Sequence, residues 1–151
     1  MQFDENGFLQ PYEIIQISVE DLEKIFVWND DRKKLFDEYL DYIIFLKQFE
    51  LGSFFQWIDG SFISTKIKPN DIDIVTFIEF KEHEQHYKEI AKLQHQFSSL
   101  DTYFVKVYPQ NHPSAFLYEL DKTEWNFQFS FSRKNPKTGK SFKKGFVQIN
   151  F

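Results

Sequence analysis

The amino-acid sequence predicts an α+β domain, within the broad α/β class, in which a small mixed sheet carries packed helices. Two observations lead there. Helix-period and strand-period segments follow one another in the order ααβ–β–α–β–(α)–β, with no internal repeat or low-complexity linker in 151 residues, a length that suits one domain. The chain is also rich in large rings and poor in breakers: 20 Phe and 20% aromatics, against five Gly and five Pro. Such a chain should be compact, with short loops and most rings in the core.

Ser18 opens a short helix, VEDLEKIFV, and its spacing to Asp21 is that of a capping box with Asp in place of Glu. A second helix is expected from about Asp31 to Phe49. Leu35, Tyr39, Tyr42, Ile43 and Leu46 recur there at three- and four-residue spacing, and Gly52 can stop it. SFFQWID (53–59) is short, aromatic and strand-like. After the polar stretch GSFISTKIKPN comes DIDIVTFIEF (71–80), in which Ile72, Ile74 and Thr76 oppose Asp71, Asp73, Val75 and Phe77. That alternation describes a strand entering the core from a polar site. KEHEQHYKEIAKLQHQF (81–97) reads as an amphipathic helix with Tyr87, Ile90, Ala91, Leu93 and Phe97 inward, and LDTYFVKVYP (100–109) as a strand ended by Pro109. DKTEWNFQFSF (121–131) fits either a helix capped by Asp121 or a strand showing Phe127, Phe129 and Phe131, and the helix is preferred. NPKTG (135–139) is a turn and GFVQINF (145–151) a last strand.

Composition narrows the function classes. With 42% hydrophobic and 27% charged residues, global disorder is excluded. Cysteine is absent, which excludes disulfides, thiolate zinc sites and cysteine nucleophiles and suits a reducing compartment. MQFDENGFLQ has no basic region leading an apolar run, and no 18-residue apolar stretch occurs. The expectation is a cytoplasmic chain with neither signal peptide nor membrane partner. Charge is unevenly placed. Residues 133–144 hold six basic side chains and no acid, so the net −5 leaves −11 on the rest. Overall acidity argues against a general nucleic-acid binder. The basic segment is either a solvated hairpin or an arm that holds phosphates.

The stretch that carries chemistry is Gly60-Ser61 followed, after nine residues, by Asp71-Ile72-Asp73. Alternation along a strand puts Asp71 and Asp73 on one face, about 6–7 Å apart. Carboxylates so placed repel unless a positive charge lies between them. Mg2+ suits that need: it accepts one or two protein carboxylates and completes its shell with water and substrate phosphates. A Gly-Ser turn after a strand offers backbone N–H groups, a hydroxyl and close approach for a phosphate. Taken singly, Asp-x-Asp is a solvated strand start and Gly-Ser a turn. His83 and His86 form a conceivable zinc pair without a third ligand, or simply an exposed polar helix face.

Together, the strings DGSF (59–62) and PNDIDIV (69–75) resemble the hallmark of the nucleotidyltransferase superfamily that includes DNA polymerase beta and the minimal nucleotidyltransferases. Thr65 stands where that family often has Gly. The chain is also similar to a group of uncharacterised bacterial proteins of that superfamily, through NGFLQPY (6–12), GSFISTKIKPNDID (60–73) and KKGFVQI (143–149). The resemblance implies a nucleotidyltransferase-like fold and a third carboxylate on a later strand. Asp101 is the candidate; otherwise it caps the preceding helix end or starts a turn.

The activity implied is Mg2+-dependent transfer of a nucleoside monophosphate from a nucleoside triphosphate to a hydroxyl, with pyrophosphate released. Asp71, Asp73 and Asp101 would hold the metal, while Gly60 and Ser61 would bind nucleotide. Lys66 and Lys68 would bind triphosphate oxygens or be solvated. The acceptor would be a protein, an RNA or a small molecule. Minimal members often act with a protein partner, including as antitoxins, so a toxin–antitoxin or defence setting is implied. The alternative is a nucleotidyltransferase-fold module that binds nucleotide or a protein partner without turnover.

Overall fold

The structure is a computed structural model that describes residues 1–93 and 95–151. Its elements are β1 (Gln2–Phe3), β2 (Leu9–Gln10), β3 (Ile14–Gln16), α1 (Val19–Phe26), α2 (Asp30–Lys47), β4 (Phe55–Asp59), β5 (Ile72–Glu79), α3 (Phe80–Gln85), α4 (Tyr87–Leu93), β6 (Leu100–Val107), α5 (Ala115–Phe129) and β7 (Phe146–Asn150). A 3₁₀ turn at Ser61–Ile63 follows β4. The mixed sheet runs β3-β7-β4-β5-β6, with β3–β7 and β5–β6 parallel and β4 antiparallel to both neighbours. β1 and β2 form a separate hairpin.

Strand alternation splits the core into two layers. Ile72, Ile74 and Ile78 of β5 join Ile58, Val147 and Ile149 against Leu35, Phe36, Tyr39, Tyr42, Ile43 and Leu46 of α2. The expected apolar stripe of α2 is therefore the buried one. Val75 and Phe77 point the other way and join Trp57, Val105 and Phe146 against Phe129 of α5. The predicted opposition of Ile72 and Ile74 to Asp73 and Val75 thus describes the two faces of β5.

Several boundaries differ from the sequence reading. Ser18 does cap α1, accepting from the Asp21 N–H at 3.0 Å. α2 is capped by Asn29 and ends at Lys47, before Gly52. The left-handed step falls on Glu50, at φ +52°. The expected 81–97 helix is two helices broken at His86, whose ring stacks on Phe49 at 4.7 Å. The break turns Tyr87 and Ala91 outward while Ile90, Leu93 and Phe97 stay buried. Gln94, within that expected helix, lies outside the described residues. The helix expected from Asp121 is present but ends at Phe129, Phe131 forming a β-bridge to Lys143; α5 starts earlier, at Ala115, with Ser114 at its N-cap position making no side-chain capping bond. Among the described residues, no helix is long and apolar enough to cross a membrane.

A polar chain crosses the α2 layer. The Tyr39 hydroxyl donates to Gln56 Oε1 (2.8 Å), Gln56 Nε2 donates to Thr76 Oγ1 (3.0 Å), and Tyr42 meets the same hydroxyl at 3.2 Å. Burial pushes both phenols above their ordinary pKa, so they remain protonated. A buried polar group that loses its partner costs more than the bond itself contributed. Gln56→Leu should therefore lower unfolding free energy by about 3 kcal/mol, and adding Tyr39→Phe should recover part of that loss. Equilibrium urea unfolding of the single and double variants checks both signs.

Candidate functional site

β4 leads from the core to Asp59 and stops at Gly60, whose φ of +84° only glycine adopts freely. A Cβ at Gly60 would overlap the Asp73 carboxylate, so glycine is what lets the turn lie against that acid. The loop beyond is held from inside by Arg32 of α2. This fully buried guanidinium donates to the carbonyls of Phe26, Phe62, Ser64 and Lys66 at 2.6–2.9 Å and reaches Ser61 O at 3.5 Å. It lies 3.6 Å from the Trp28 ring centroid, and burial lowers its pKa to about 10. The N-terminal hairpin braces the same loop from outside, since Thr65 N donates to Gly7 O at 3.0 Å.

The strand registers set the acids. Asp59 pairs with Asp73 across β4–β5, and Asp73 pairs with Asp101 across β5–β6, which places the three in one row. Opposite stands an arm formed by residues 130–144. Its backbone bonds run from Lys144 N to Ser130 O, Ser132 N to Phe142 O and Asn135 N to Lys140 O, at 2.8–2.9 Å. The predicted NPKTG turn is its tip, with Asn135 Oδ1 accepting from Lys137 N and Thr138 N.

Between row and arm lies a cleft of about 750 Å³. One wall carries Asp59, Asp71, Asp73, Gly60 and Ser61; the other carries Arg133, Lys134 and Lys140; Lys144 joins the arm to the first wall, and Phe8, Phe131 and Phe142 line part of the rest. Five basic and three acidic side chains give the lining a formal charge of +2, in a chain of −5. Of the six basic side chains of the arm only Lys144 is buried; the other five are solvent-exposed, as a solvated hairpin would have them, and three of these, Arg133, Lys134 and Lys140, line the cleft.

A family model described as "Family of unknown function (DUF6932)" matches residues 1–150. The chain belongs to that family. Searches of curated proteins and of solved structures each returned no match.

In this DUF6932 chain the expected site residues divide. Gly60, Ser61, Lys66, Asp71 and Asp73 all line the cleft. Lys68 does not; its ammonium sits 3.8 Å from Asp31 Oδ2. Asp101 is exposed and lies beside the cleft, outside its lining, although its charge acts on Asp73. Among the described residues, no group of three or more His, Cys, Asp or Glu side chains is arranged to hold a metal ion, and His83 and His86 form no such centre. Of the three carboxylates lining the cleft, Asp71 and Asp73 share one strand face and are of the hard donor type that would suit Mg2+ completed by phosphate and water. Burial raises the Asp73 pKa, and Asp71 and Asp101 raise it further, against the pull of Lys144 and Arg133. A cation there would relieve that crowding.

Sequence reasoning missed Asp59, Arg32 and the role of Lys144. Asp59 could have been found from alternation, since it shares a β4 face with Trp57. It is buried, 4% exposed, and its Oδ2 accepts from the equally buried Lys144 ammonium, while Oδ1 has no partner among the described residues. Burial raises its pKa to about 6, and Lys144 only partly offsets this.

Between the ordinary value of 3.8 and about 6 the folded chain holds a proton on Asp59 that the unfolded chain has lost. Stability from this group is thus full below pH 3.8 and declines as pH rises towards 6. Melting temperatures taken from about pH 4 to 7 should show the wild type losing ground to Asp59→Asn across that window.

Proposed function

We propose that this chain is a Mg2+-dependent nucleotidyltransferase that passes a nucleoside monophosphate from a nucleoside triphosphate to a hydroxyl and releases pyrophosphate. One observation carries the reading: Gly60 packs against the Asp73 carboxylate at the mouth of a cleft whose opposite wall is the basic arm. Asp71 and Asp73 would hold Mg2+, which when bound supplies charge neutralisation at the triphosphate and eases deprotonation of the attacking hydroxyl. Ser61 and Lys66 lie at the turn, where a phosphate would approach the Gly60-Ser61 backbone. Arg133, Lys134 and Lys140 would draw the polyanion in and hold its outer oxygens. The acceptor hydroxyl would arrive on a separate molecule; a protein partner in a toxin–antitoxin or defence setting is one such source.

A second reading is a nucleotide-binding module without turnover. The position of Asp101 beside the cleft favours it, because only Asp71 and Asp73 of the three expected ligands line the cavity. The two readings separate on one measurement, pyrophosphate release from each Mg-nucleoside triphosphate with protein, RNA and small-molecule hydroxyl acceptors. Release supports transfer; saturable binding without release supports the module.

Two outcomes are expected. Asp71→Asn and Asp73→Asn should each cut pyrophosphate release on the order of 10²-fold, with an unchanged far-UV spectrum. Lys134→Glu with Lys140→Glu should weaken Mg-nucleotide affinity and flatten its decline between about 50 and 300 mM salt, as read by isothermal titration. Affinity indifferent to salt in both proteins would detach the arm from the reading.

A further inference from the structure

The geometry points to Lys144 as a built-in counter-ion: beside Asp59 its ammonium takes the place of a second divalent cation, and the acidic wall holds one such ion, at Asp71 and Asp73. This rests on the reading above, since it concerns the same carboxylates. Asp59 stands directly opposite Asp73 in the β4–β5 register, so an ion between those two strands would face both. That place already has a positive charge. Lys144 is 8% exposed, its ammonium is bound to Asp59 Oδ2, and its field also acts on Asp73.

Three further facts agree. The ammonium is a compact point charge on a flexible stem, suited to filling a cation's position. Asp59 Oδ1 is buried and unpartnered among the described residues, although Asp59 lines the cleft, so an acceptor atom stands ready there. Of the acids of the lining, Asp59 is thus paired with Lys144, which leaves Asp71 and Asp73 as the two carboxylates open to a cation. The backbone holds Lys144 in place, because Lys144 N donates to Ser130 O and Gly145 N to Leu9 O. Gly145 has no room for a side chain, since a Cβ would overlap Pro11 O. The side chain therefore enters the row from a rigid base.

The test counts Mn2+ bound per full-length chain, with Mn2+ alone as probe and the free ion read by electron paramagnetic resonance. Lys144→Ala should bind one more Mn2+ than the parent, and Asp59→Asn with Lys144→Ala should return to the parent's count. Equal counts in parent and Lys144→Ala overturn the inference, as does an extra ion that survives Asp59→Asn. Two ions in the parent also overturn it while leaving the proposed function standing. A parent that binds none overturns the inference and also removes the Asp71–Asp73 cation from the proposed function. Should Lys144→Ala fail to fold by itself, Mn2+ should restore its far-UV spectrum. No restoration overturns the inference.

Discussion

A guanidinium buried without a carboxylate is costly unless every donor finds an acceptor. Arg32 meets that condition through backbone carbonyls alone, from Phe26 at the end of α1 to Lys66 beyond the 3₁₀ turn. The consequence runs outward. All of those carbonyls except that of Phe26 belong to the chain that leaves β4 and returns as β5, so the charge on α2 holds the path of the loop. The path determines where Gly60 turns, and the turn determines how closely the backbone meets Asp73. Asn29 adds to the same hold by donating to Ile67 O at 2.8 Å. The acidic wall is thus set from the helix layer beneath it, and its own side chains contribute little to that placement.

The parts of the fold that were legible are those whose signal is local and periodic. The stripe of α2, the alternation of β5 and the Ser18 cap each depend on neighbours within a few residues. The first 17 residues were not legible. Their strands are two or three residues long, and their bonds run to Thr65, Gly145 and β7, far away in sequence. The break at His86 has the same origin, because a ring on α3–α4 stacks on Phe49 from the segment after α2. α5 was ambiguous because Phe127, Phe129 and Phe131 mimic a strand, yet Phe129 is buried, Phe127 exposed and Phe131 in the cleft.

The candidate site divides along the same line. Asp71 and Asp73 announce themselves by spacing, and Gly60-Ser61 by turn chemistry. Alternation along β4 could show only the face that Asp59 shares with Trp57; its place opposite Asp73 needs the β4–β5 pairing, and its partner Lys144 lies 85 positions away. The basic segment showed its charge in the sequence but not its destination. Folding brings Arg133, Lys134 and Lys140 to face an acidic wall, and so gives an acidic chain a cleft with a positive lining. Opposite charges on facing walls suit a ligand that is itself divided, with a cation on one side and an anion on the other.

β7 lies inside the sheet, between β3 and β4, although it follows every other strand in the chain. Ile14 must therefore wait for Phe146, and Ile58 for Val147, before the sheet closes. Pairings across most of the chain length are slow to form, because the loop entropy is lost before the contact is gained. The arm and Lys144 immediately precede β7, so the strand that closes the sheet is also the one that carries the ammonium to Asp59. A chain without residues 143–150 would lack both the strand between β3 and β4 and the ammonium beside Asp59.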